Sequence, residues 1–123
     1  MLCATAGATA AAAADIAGSY TGHWNSAGGD GDFKIVLSQN GGKWIADVGF
    51  TFGGQPVKCR VTSVKVNGAQ VQLVYEFDLL TNRLESTATG EVQGKTFAGT
   101  YKTRALADSS PVDEGTFTTE AAS

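Results

Sequence analysis

The sequence predicts an all-β protein: an eight-stranded antiparallel up-and-down meander closed into a barrel, with long loops at one end. Three observations point there. Apolar and polar residues alternate at period two from Tyr20 to Tyr101. Turn residues, chiefly glycine and asparagine, punctuate that pattern at short intervals. The connections also alternate in length: Asn40–Lys43, Asn67–Gln70 and Gly94-Lys95 read as tight turns, whereas Ser26–Gly31, Gly53–Pro56, Thr81–Arg83 and Arg104–Glu114 read as looser. Successive connections of an antiparallel meander fall at opposite ends, so this alternation closes one end and opens the other.

The first strand, Gly18 to Asn25, places Tyr20, Gly22 and Trp24 on one face and Ser19, Thr21 and His23 on the other. The second, Asp32 to Gln39, alternates Phe33, Ile35 and Leu37. The third carries Trp44, Ala46, Val48, Phe50 and Phe52 inward. In the fourth, Val57 to Val66, the apolar phase changes from Val57, Cys59 and Val61 to Val64 and Val66, which predicts a β-bulge near Thr62-Ser63. The fifth, Val71 to Leu80, points Val71, Leu73, Tyr75, Phe77 and Leu79 inward. The sixth, Leu84 to Gln93, offers small inward residues at Ser86, Ala88 and Gly90, which leave room for large neighbours or a ligand. The seventh, Thr96 to Thr103, carries Phe97, Gly99 and Tyr101, and the eighth, Gly115 to Ala121, centres on Phe117. Barrel closure requires that eighth strand to pair with the first.

A chain of 123 residues makes one domain. Residues 15–123 read as that single β-barrel domain. Residues 1–14, MLCATAGATAAAAA, read as a signal-peptide remnant or disordered leader, because runs of Ala and Thr satisfy small-residue cleavage preferences. The expected location is secreted or periplasmic. A formal net charge of -3 gives no basic footprint, so nucleic acid is not an expected partner, and no later segment approaches a membrane span. The outer barrel face is left for oligomer contacts. Cys59 is the single cysteine after the leader and reads as a small buried hydrophobe.

Gly18 to Asn25, GSYTGHWN, followed by a glycine-rich loop, resembles the opening strand of avidin and streptavidin-type barrels, and Gly115-Thr116-Phe117-Thr118 is similar to their closing strand. Together these cover about 15 residues. Glycine–x–tryptophan openings are shared with other calycin-type barrels. The resemblance implies an eight-stranded barrel with Trp24 and Ser26 facing its cavity near the mouth. Biotin sites of that family are walled by several tryptophans, whereas the only other one here is Trp44, at the closed end.

With the long-loop end uppermost, strand direction brings an inward aromatic set to the rim, and it points to a small-molecule site. The candidate ligand-binding residues are Trp24, Ser26, Phe50, Phe52, Phe77 and Tyr101, with Asp32, Arg83 and Arg104 as polar groups. The alternative is that the same aromatics fill a barrel just wide enough for side chains. His23 is the only histidine, and Asp30-Gly31-Asp32 lacks the remaining ligands of a calcium loop, so no metal or cofactor is expected. Two functions fit. One is an exported binding protein for an apolar or amphipathic ligand. The other is a small secreted hydrolase or lyase using Tyr101 and rim carboxylates such as Asp32 with Asp113 or Glu114, Arg83 or Arg104 holding an anionic substrate.

Overall fold

A computed structural model of the protein describes residues 16–79 and 81–121. The leader expected over 1–14 lies outside the described residues. Among these the chain is all-β with no helix, and its antiparallel strands form one sheet that curls into a nearly closed barrel. That is the coarse architecture of calycin-type barrels. The strands are β1 (Gly18–Ser26), β2 (Gly29–Asn40), β3 (Lys43–Phe52), β4 (Gln55–Lys58), β5 (Arg60–Asn67), β6 (Gln70–Leu79), β7 (Asn82–Gln93), β8 (Thr96–Ala105) and β9 (Pro111–Ala121). They lie in the order β4-β3-β2-β1-β9-β8-β7-β6-β5. The expected pairing of first and last strands is present, running from Tyr20 opposite Ala121 to Ser26 opposite Gly115.

The count is nine because the expected fourth strand divides at Cys59. Its first part, β4, pairs with β3 from Gly49 opposite Lys58 to Phe52 opposite Gln55, and its second, β5, pairs with β6. The two ends of the sheet are thus joined through the covalent chain at Cys59 where no ladder links them. In β5 the register slips between Val61 and Ser63, the bulge that the change of apolar phase predicted. Thr62 is turned out there and its hydroxyl donates to the Val74 carbonyl at 3.2 Å.

The long loops expected at one end are a correction. Residues 27–28 and 53–54 are two-residue links, as short as 41–42, 68–69 and 94–95 at the opposite end, and β7 begins at Asn82 soon after β6 ends at Leu79; the link 106–110 is longer. The polar segments read as loops are strand. Asn25 pairs with Asp30, Ser26 with Gly29, and Asp78 with Arg83. Gly41-Gly42 (φ 61° and 85°) and Gly53-Gly54 (φ 60° and 80°) supply the left-handed pairs that such tight hairpins demand. The longer link is tied to itself: Ser109 N–H donates to the Ala105 carbonyl, and Ser110 donates twice to Asp108. Those Ser110 bonds hold the Asp108 carboxyl below its ordinary range.

Inside, the base of the barrel is filled. Tyr20, Ile35, Leu37, Val71, Leu73, Phe97 and Phe117 are all but sealed from solvent. The Tyr20 hydroxyl donates to the Ile16 carbonyl at 2.7 Å, seating Ile16 under the base. Phe117 meets Phe33 and Phe97 edge to face at 5.3 and 5.2 Å between centroids. Inward glycines on neighbouring strands make this possible. A Cβ at Gly90 would strike the Phe117 and Phe97 rings, while at Gly22 and Gly99 it would strike the backbone of the next strand.

Candidate functional site

The barrel is packed at its base and hollow at its mouth. A cavity of about 270 Å³ opens at the end where β1, β3, β6 and β8 finish. Period-two alternation sets its lining, because every inward residue of the last two turns of pleat at that end faces the same space. The wall is aromatic: Trp24, Phe50, Phe52, Phe77 and Tyr101 stand around it, with Phe33 and Tyr75 toward the floor. Leu79, Leu84 and Val112 complete the apolar surface. Phe52 and Val112 are exposed at the entrance, 42% and 50% accessible.

Trp24 organises this wall. Near the mouth, the β2–β3 ladder begins only at Phe33 opposite Phe50, while Thr51 and Phe52 of β3 pair with β4 alone. The indole closes that split: Trp24 Nε1–H donates to the Thr51 carbonyl at 3.0 Å. Asp32 N–H donates to Thr51 Oγ1 at 2.9 Å beside it. The ring reaches Thr51 because residue 31 is glycine, where a Cβ would collide with both the indole and the Thr51 carbonyl. Trp24 then stacks on Phe52 (centroids 6.3 Å, planes 10° apart) and presents edges to Phe50 and Tyr101.

Polar groups on the lining are few. Ser86 and Thr103 are buried against the cavity and share a hydroxyl–hydroxyl bond of 2.5 Å. Tyr101 donates its hydroxyl to Asp113 Oδ2 at 3.2 Å. Burial pushes the Tyr101 hydroxyl up to about 12; Ser26 works against this shift and the neighbouring Asp113 carboxylate adds to it. Burial likewise raises Tyr75 well above the usual phenol value, with the Cys59 thiol adding to the shift. Both phenols are therefore neutral donors at physiological pH. Replacing Ser86 by Ala strands the Thr103 hydroxyl and is expected to cost about 1–2 kcal/mol in urea unfolding. The double variant Ser86→Ala/Thr103→Val removes both partners and should recover most of that loss.

Of the residues expected at the site, Trp24, Ser26, Phe50, Phe52, Phe77 and Tyr101 come together on the lining. Asp32, Arg83 and Arg104 do not. Each sits beside an inward residue (Phe33, Leu84 and Thr103) on a strand that continues to the turn, so alternation turns it outward. Outside, Asp32 meets His23 Nδ1 at 3.3 Å, Arg83 meets Asp78 at 3.3 Å, and Arg104 meets Glu85 at 2.8 Å. Asp32 and Asp113 consequently share no cavity. Tyr75, Leu84, Ser86, Thr103 and Val112 were not among the expected site residues. The signal for the first four was their inward parity close to the mouth; Val112 fell in a segment read as loop.

Cys59 is half-buried at the β4–β5 junction, and burial, with the Asp47 charge adding, pushes its thiol up to about 12. It is a protonated, unreactive group, as its small-hydrophobe reading expects. Among the described residues no cluster of three or more His, Cys, Asp or Glu side chains is placed to hold a metal. No family model matches the chain, and no curated protein or solved structure matches it.

Proposed function

We propose that the chain is an exported small-molecule-binding barrel that holds an apolar or amphipathic ligand at its mouth. The observation that carries this is the contrast along the barrel axis: a close-packed base below, and an aromatic-walled cavity of about 270 Å³ above. A handful of convergent hydroxyls on an otherwise apolar concave surface is the usual composition of a ligand site. Burying an apolar ligand against it yields about 25 cal/mol per Å² removed from water. The likeness of Gly18–Asn25 and Gly115–Thr118 to avidin and streptavidin-type strands supports the same reading at the level of scaffold. Export rests on the small-residue segment Met1–Ala14.

The test is a titration with the neutral probe phenylnaphthylamine, followed through Trp24 emission in a Trp44→Phe background. Saturable quenching of Trp24 is the expected result. Phe52→Ala removes an exposed ring stacked on Trp24 and should weaken probe binding about tenfold with little change in stability. Unchanged Trp24 emission across the titration overturns the reading.

A further inference from the structure

The cavity has a definite electrostatic sign. Among its lining residues Asp113 is the only one with a formal charge at neutral pH, and no Lys, Arg or His faces it. The basic residues adjacent in sequence to the lining, His23, Lys34, Arg83, Lys102 and Arg104, alternate to the outer surface, where Arg83 and Arg104 are held by Asp78 and Glu85. Asp113 itself enters no ion pair among the described residues; the Tyr101 hydroxyl, at a rather long 3.2 Å, is its side-chain hydrogen-bond partner. Beneath the carboxylate stand seven aromatic residues, Trp24, Phe33, Phe50, Phe52, Tyr75, Phe77 and Tyr101. The face of an aromatic ring carries a negative quadrupole, which attracts cations and repels anions. Because Tyr101 stays a neutral donor, it holds one carboxylate oxygen in place without neutralising its charge.

A half-exposed carboxylate with no ion-pair partner among the described residues, set at the entrance of a ring-lined apolar space, is a group that a cationic ligand complements. Anionic ligands such as fatty acids or sulfonates meet like charge at Asp113 and no cation anywhere on the lining. Neutral hydrocarbons fill the space but leave the carboxylate unpaired and part desolvated, which is costly. Resting on the binding function proposed above, we propose that the mouth cavity selects an organic monocation, an ammonium group joined to a flat apolar body. The ammonium lies at Asp113 and Tyr101, and the apolar body lies against Trp24, Phe50 and Phe77. A volume of about 270 Å³ equals that of about nine waters in the liquid, which admits one ring system and its head group and little more.

Three probes of one shape separate the outcomes: naphthylmethyl-trimethylammonium, its neutral neopentyl carbon isostere, and naphthylmethanesulfonate. Each is titrated against Trp24 emission in the Trp44→Phe protein, and again after Asp113→Asn. The expected result is that the ammonium binds about tenfold tighter than the isostere, that the sulfonate binds worst, and that Asp113→Asn abolishes the difference between the first two. Binding of the neutral isostere by Asp113→Asn at least as tightly as by the unaltered protein certifies that the variant is folded. The comparison of the three probes on the protein with Asp113 intact needs no such control. Equal binding of ammonium and isostere, or preference for the sulfonate, overturns the cation assignment and leaves the binding function standing. If none of the three perturbs Trp24, both fall together.

Discussion

Phe117→Ala is expected to remove about 4 kcal/mol of stability, as the loss of a fully buried phenylalanine does where the surroundings do not collapse. Phe117 is 1% exposed, and its ring is gripped by Phe33 and Phe97 at centroid separations near 5 Å. It also lies over Gly90, which has no side chain to relax into the void. Small single domains hold about 5–15 kcal/mol in all, so the loss takes a large share of the whole. In thermal unfolding it amounts to a fall in Tm of about 20 °C. Phe117→Leu keeps most of the volume and should lose less than half as much. A decrease below about 1 kcal/mol for the alanine variant would mean that the base is loosely packed, contrary to the structure.

That ring was legible in the sequence, and why it was is instructive. Inward parity needs only a strand and its phase, and both were written in the alternation around Phe33, Tyr75, Phe97 and Phe117. The bulge near Thr62-Ser63 was legible for the same reason, since an extra residue must break the period. What parity could not reveal was where strands stop. Arg83 and Arg104 looked like loop residues because they are polar and close to turns, and a loop residue can point anywhere; Asp32 stood at the start of its predicted strand, next to a segment read as loop. Once the strands run up to their turns, alternation leaves these side chains no way into the cavity.

The division at Cys59 was hidden for a different reason. The local sequence of β4 and β5 states which way each side chain faces, but their partners, β3 for one and β6 for the other, are decided by how the whole sheet curls. Likewise the hollow at the mouth is the remainder after the large residues have been seated. Ser86 announced the space by being small, yet its hydrogen bond with Thr103 depends on the register between β7 and β8, which aligns the two directly.

Gly99→Val should be at least as damaging as the loss of Phe117, although it adds atoms instead of removing them. Gly99 faces inward on β8, opposite Gly90 on one side and Phe117 on the other. A Cβ built there falls on the Thr89 carbonyl oxygen and the Gly90 Cα, which are backbone atoms of the adjoining strand. Side chains yield by changing rotamer; a paired strand yields only by breaking its ladder. Overpacking against such a neighbour exceeds the usual cost of about 1–3 kcal/mol, and a branched residue adds two methyls to the clash. We expect more than about 4 kcal/mol, with Gly99→Ala intermediate and the same order at Gly22, whose Cβ meets the backbone of Thr118 and Thr119. The control is Gly28→Ala. Its nearest neighbour to a new Cβ is Ser26 Oγ at 3.9 Å, and its φ is not left-handed, so the change should stay within about 0.5 kcal/mol. Urea unfolding of the three variants decides the matter: if Gly99→Val unfolds at the same midpoint as Gly28→Ala, the strands are not held in the close approach that shapes this barrel.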